Sequence, residues 1–147
     1  MDRAMTSTRV SGFDAFIGEW APRMLSVLRI VAALLFLEHG SQKLFGFPTP
    51  NPAAGGMPAT FSLIWDAAIL EFAGGLLLLF GAFTRPVAFV LSGEMAVAYW
   101  MAHAPRGPFP ALNGGDAAIL FCFVFLYLAV SGGGAWSVDQ FRQRRDY

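Results

Sequence analysis

The chain contains a single cysteine, Cys122, so no disulfide can form within it and no cysteine-built metal site can be assembled. Histidine is almost as scarce. With only His39 and His103, the second at a loop edge, the chain cannot supply the paired axial ligands of a membrane haem. Glu38, His39 and Glu71 offer mixed N/O ligands, but one histidine among carboxylates is not the signature of a metal centre, and none is expected. No glycine-rich phosphate loop follows a strand pattern and no HExxH motif occurs, which excludes those nucleotide-binding and zinc-protease chemistries. Charge is also sparse: charged residues make up 14% of the chain, against about 25% in soluble domains. Basic and acidic residues balance at ten each, so net charge gives no case for nucleic acid. There is no internal repeat and no low-complexity segment. Residues 1–22 lack the continuous apolar core of a cleaved signal peptide, so the first apolar run is expected to be an uncleaved anchor.

What the chain does have is apolar length. Its 147 residues are 56% hydrophobic, with a mean hydropathy of +0.54. A spanning helix needs about 20 predominantly apolar residues. Four runs meet this, over about 23–45, 61–80, 86–103 and 116–130, the last two short enough for their ends to reach the interface. The links "GFPTPNPAAGGMPAT", "GAFTRP" and "APRGPFPALNGG" are rich in the helix breakers Pro and Gly. The expected fold is an all-α membrane protein, an antiparallel bundle of four transmembrane helices over 23–139. An N-terminal segment (1–22) precedes it and a basic tail (140–147) follows. In that first segment Phe13, Phe16, Ile17 and Trp20 recur at i, i+3, i+4 and i+7, the pattern of a short amphipathic helix lying on the membrane surface. A partly ordered tail is the equal alternative.

Orientation follows from arginine and lysine, which collect on cytoplasmic flanks. Both termini and the 81–85 turn share one side, with Arg3, Arg9, Arg23, Arg85, Arg142, Arg144 and Arg145; the other side has Arg106 and, at a helix edge, Lys43. Both termini are therefore expected on the cytoplasmic side of the membrane.

The polar residues inside the apolar runs carry the functional expectations. "EHGSQK" puts Glu38, His39, Gln42 and Lys43 within two turns at the end of the first run. On the second, Glu71 shares a face with Ala67, Ala68, Gly74, Gly75 and Ala82; small residues mark close helix approach, so Glu71 faces the bundle. Glu38, His39, Gln42, Lys43 and Glu71 are thus expected to form one proton or ligand site in a cavity of the outer half. Glu94, His103, Asn113, Asp116 and Tyr127 are possible further contributors. At ~1.5 Å per residue, Arg29 and Glu94 come to matching depth, which suggests a structural ion pair locking two helices. Lys43 has a second reading, snorkelling to the headgroups.

These segments resemble the DoxX family of small four-helix bacterial membrane proteins. "HGSQKLFG" is similar to the family's His-Gly-x-x-Lys-Leu signature. "EFAGGLLLLFGAFTRP" matches its Glu-x-x-Gly-Gly segment and Gly-x-x-Thr-Arg turn, and "GEMAVAYWMAHAPRGPFPALNGGDAAILFCFVFLYLA" and "GGGAWSVD" complete the likeness over about residues 23–139. Asp116 stands where the family has Glu, and Gly133 where it has Pro. The resemblance implies a quinone-linked redox subunit, since family namesakes include a membrane subunit of a thiosulfate:quinone oxidoreductase and others belong to oxidative-stress complexes. Quinone is the cofactor implied, and a redox subunit or further copies of the chain are the partners, besides membrane lipid. On this reading His39 or Lys43 bonds a quinone carbonyl, and Glu38 and Glu71 exchange protons. Two alternatives remain: a non-catalytic assembly or anchoring protein, and a small transporter or proton pathway. The last is disfavoured by the small helix number and the lack of an inverted repeat.

Overall fold

The computed structural model describes residues 11–50 and 58–145, all of them helix, turn or loop with no strand. The N-terminal arginines Arg3 and Arg9 and residues 51–57 of the first interhelical link lie outside the described residues. Helix α1 (Gly12–Phe45) is 34 residues long; Ser11 caps it by accepting the Asp14 N–H, and Gly46 ends it in the left-handed conformation. The amphipathic segment around Phe16 and Trp20 is therefore no separate surface helix but the opening turns of α1. Pro22 deletes one backbone donor inside the helix without ending it.

Helix α2 (Leu63–Phe80) begins on the Ser62 side-chain cap and ends at Gly81. Helix α3 (Thr84–Ala98) runs on through a π-helical turn, Tyr99–His103, and a 3₁₀ turn, Ala104–Arg106. After the one-turn helix α4 (Pro110–Asn113) comes α5 (Asp116–Ser131), then the short α6 (Val138–Gln143) inside what the sequence reads largely as a tail. Among the described residues three helices are long and apolar enough to cross a membrane, Gly12–Phe45, Leu63–Phe80 and Thr84–Arg106; the apolar α5 is shorter.

The helices associate in pairs. Helix α1 packs along α2 and α3 along α5, while α2 also meets α3. Glycine sets these distances. A Cβ on Gly40 would lie 2.7 Å from the Phe72 backbone nitrogen, so α1 and α2 cross with backbone against backbone. Gly75 receives Leu37 of α1 and Gly74 receives Leu91 of α3 in the same way. Phe36, 1% exposed, joins the pairs by meeting Phe125 edge-on at 4.9 Å between ring centroids. The outward faces carry Leu34, Leu35, Leu70, Phe89 and Val97, each more than a third exposed, as an apolar solvent requires.

Candidate functional site

Two polar centres lie along the α1–α2 pair, one where Arg29 meets the last turn of α2 and one where the last turn of α1 meets Glu71. The first is built around Arg29, fully buried in α1. Its Nε donates to the Gly133 carbonyl at 2.8 Å and its Nη2 to the Trp136 carbonyl at 2.6 Å. Its Nη1 reaches the carbonyls of Leu78 and, at 2.6 Å, Leu79. The latter two belong to the last turn of α2, where the helix dipole is negative and the Leu78 carbonyl also accepts the capping Gly81 N–H at 3.0 Å. One planar fork thus holds the end of α2 and the 131–137 loop together, which suits guanidinium better than ammonium. Glycine admits the loop: a Cβ on Gly134 would sit 2.4 Å from Ser26 Oγ and 2.6 Å from the Pro22 carbonyl oxygen.

The expected Arg29–Glu94 ion pair does not form. Matching depth was the wrong criterion, because the guanidinium donors go to carbonyls at a helix end. Glu94 faces the other centre.

At that second centre Lys43, in the last turn of α1, donates to Glu71 Oε1 in a direct ion pair. Glu71 is 3% exposed, lying on the α2 face of Ala68, Gly74, Gly75 and Leu78. Lys43 does not snorkel away. Glu94 of α3 lies within Coulombic reach of both Glu71 and Lys43. Glu71 Oε2 and both Glu94 carboxylate oxygens are buried without a hydrogen-bond partner among the described residues. A single cation therefore serves two buried carboxyl groups, three of whose four oxygens have no other partner among the described residues.

The other expected members are not gathered there. Glu38 and His39 are exposed on α1, and the His39 ring meets Phe121 of α5 edge-on at 6.2 Å. Gln42 donates to the Thr49 carbonyl at 3.1 Å. His103, half-buried, lies 3.3 Å from the Asn113 carbonyl oxygen and stacks on Tyr99. Asn113 is a turn residue, donating to the Gly107 carbonyl and accepting from the Gly115 N–H, both at 2.8 Å. Asp116 is exposed in the first turn of α5 and Tyr127 is 56% exposed. The buried face of α5 consists of Ala118, Phe125 and Leu128, so Asp116 and Tyr127 lie off it. Helix α5 begins only at Asp116, so Asn113 falls outside its periodicity.

Asp139 was missed. Its two carboxylate oxygens accept the backbone N–H groups of Phe83 at 2.9 Å and Thr84 at 2.8 Å, capping α3 from the far end of the chain. Phe83 is held there in the left-handed region at φ 50°. The usable signal was "SVD": a helix-opening Ser137 followed by an acid that its own helix does not need.

A family model for DoxX matches residues 24–104, a span that contains Arg29, Lys43, Glu71 and Glu94. An uncharacterized protein of Haemophilus influenzae is 41% identical over 124 residues, covering 82% of this chain and 92% of its own length. The inner membrane protein YphA of Escherichia coli is 30% identical over 132 residues, 84% of this chain and 93% of its own. The inner membrane protein YqjF of the same organism is 27% identical over 127 residues, 81% of this chain and 92% of its own. No solved structure matches significantly.

Proposed function

This chain belongs to the DoxX family of membrane proteins, and from that premise we propose that it is the quinone-interacting membrane subunit of a redox enzyme of the bacterial inner membrane. It would be a four-helix antiparallel bundle with both termini in the cytoplasm. The observation that carries this reading is the Lys43–Glu71–Glu94 layer, with three buried carboxylate oxygens unpartnered. Such groups take up a proton when negative charge arrives beside them and release it when a cation approaches, the behaviour required beside a carrier that gains electrons and protons together.

The residues present fit a quinone. Lys43 offers one of its three N–H donors to Glu71 and is 29% exposed, which leaves donors for a carbonyl oxygen. His39, one turn before it, is open on the outer surface of α1 beside Phe121. A bound quinone would supply the electron-accepting ring; His39 and Lys43 would orient its carbonyls, and Glu71 and Glu94 would hold or deliver protons. Purification in mild detergent followed by lipid extraction tests this. Quinone should co-purify, and added quinone should raise the melting temperature of the wild type but not of His39→Ala. Absence of both effects overturns the reading.

A second reading, an assembly or anchoring subunit, is favoured by Glu38 and His39, which are exposed in an otherwise apolar stretch. A polar pair at that depth is stabilised by a partner helix, from a redox subunit or a second copy. Native mass spectrometry of the complex taken from membranes separates the two: a monomer free of other protein removes the second reading.

A further inference from the structure

At the Arg29 end a cavity of about 590 Å³ opens among the α2–α3 turn, the 131–137 loop and α6. Its walls carry three guanidinium groups, Arg85, Arg142 and Arg144, and one carboxylate, Asp139. The carboxylate is engaged, since both oxygens cap α3, and it also lies in the field of buried Arg29. Arg85 uses Nη1 on the Ala129 and Val130 carbonyls at the end of α5, leaving the rest of its fork for other acceptors. Neither Arg142 nor Arg144 has an acidic partner among the described residues, where the ion pairs are Arg23–Glu19 and Lys43–Glu71. Thr84, fully buried and on the cavity floor, keeps its hydroxyl without a hydrogen-bond partner. The cavity is therefore cationic with unused donors.

It also adjoins an apolar neighbour. Arg144, Gln140 and Ser137 line both this cavity and a second hollow of about 350 Å³, whose other walls include Phe80, Trp136, Val138 and Phe141. Phe80, Trp136 and Phe141 are each more than half exposed, at the end of the membrane-crossing helices, where an amphipathic ring such as that of Trp136 settles at the headgroup level. A soluble anion has no use for that apolar annex.

We propose that the two hollows form one binding site for an anionic phospholipid of the adjoining leaflet. Its phosphodiester lies among Arg85, Arg142 and Arg144, and the start of an acyl chain runs along Phe80, Trp136 and Phe141. Basic groups at a membrane surface recognise such headgroups by charge, and the guanidinium fork adds bidentate geometry for phosphate. The site is separate from the Lys43–Glu71–Glu94 layer and does not depend on the role proposed for it.

The test is native mass spectrometry of the full chain released from nanodiscs of equal phosphatidylglycerol and phosphatidylcholine. Retained lipid should be enriched in phosphatidylglycerol by about fivefold or more, the effect of at least one basic residue at the surface. Enrichment should vanish in the double variant Arg142→Gln/Arg144→Gln, whose changes are on exposed side chains, and persist in Arg106→Gln at the other end. Equal retention of the two lipids by the wild type, or undiminished enrichment in the double variant, overturns the proposal. In nanodiscs of phosphatidylcholine alone, inorganic phosphate should leave the melting temperature unchanged. A rise that the double variant abolishes would assign the cavity to a soluble anion and overturn the lipid assignment.

Discussion

Lys43 and Glu71 meet as a direct ion pair between the last turn of α1 and the middle of α2, and the second oxygen of Glu71 is left buried and unpartnered. The pair is asymmetric, with side chains 29% and 4% exposed, so the lysine keeps part of its hydration while the carboxylate has lost nearly all of it. Removing the cation is therefore expected to hurt through what it leaves behind. Lys43→Met should destabilise the protein by about 2 kcal/mol, less than the ~3–5 kcal/mol typical of fully buried pairs. In a Glu71→Gln background the same change should cost well under half as much. Thermal unfolding in detergent of all four members of the cycle provides the check; additive costs would mean the two side chains are energetically independent.

Arg29 is expected to be the more sensitive position. Four backbone carbonyls depend on it, and charge-assisted hydrogen bonds contribute about 1.5–3 kcal/mol each before losses from rearrangement. Arg29→Lys preserves the charge but not the fork, so it should still lower stability by at least ~3 kcal/mol. Glu94→Gln should behave independently of it. A strong coupling between Arg29→Lys and Glu94→Gln would revive the ion pair that the carbonyl contacts replace.

Two glycines in spanning helices should respond in opposite ways. A Cβ on Gly40 would meet the Phe72 backbone at 2.7 Å, whereas on Gly93 it would meet nothing within 4 Å. Gly40→Ala is expected to push α1 from α2 at a cost of about 1–3 kcal/mol. Gly93→Ala should be neutral or stabilising by up to ~1 kcal/mol through helix propensity. The order of their melting temperatures is the measurement, and a reversed order would contradict the close α1–α2 crossing.

Orientation is open to chemical labelling. In a Cys122→Ala background, a cysteine at Ala111 should react with an impermeant thiol reagent in intact cells, while one at Gln143 should react only after lysis. The opposite pattern would put the Lys43 end, and not the α6 end, in the cytoplasm.

Three long apolar helices and the small-residue face of Glu71 were legible because each depends on a local property: run length against bilayer thickness, and the helical period that stacks Ala68, Glu71 and Gly75. The fourth run forms a helix, α5, shorter than the other three. Chain-distant partners were not legible. Depth along a helix follows from counting residues, but rotation about its axis is set by contact with another helix. The Gly40–Phe72 crossing turns Lys43 inward while leaving adjacent Glu38 and His39 exposed. For the same reason sequence alone placed Arg29 and Glu94 at one level and paired them by charge. Only the tertiary structure brought carbonyls of α2 and of the 131–137 loop within reach of the guanidinium, and left Glu94 facing Glu71 and Lys43. Asp139 shows the same division: its side-chain chemistry is written in the chain, but the two N–H groups it caps lie 55 and 56 residues away and come to it only through folding.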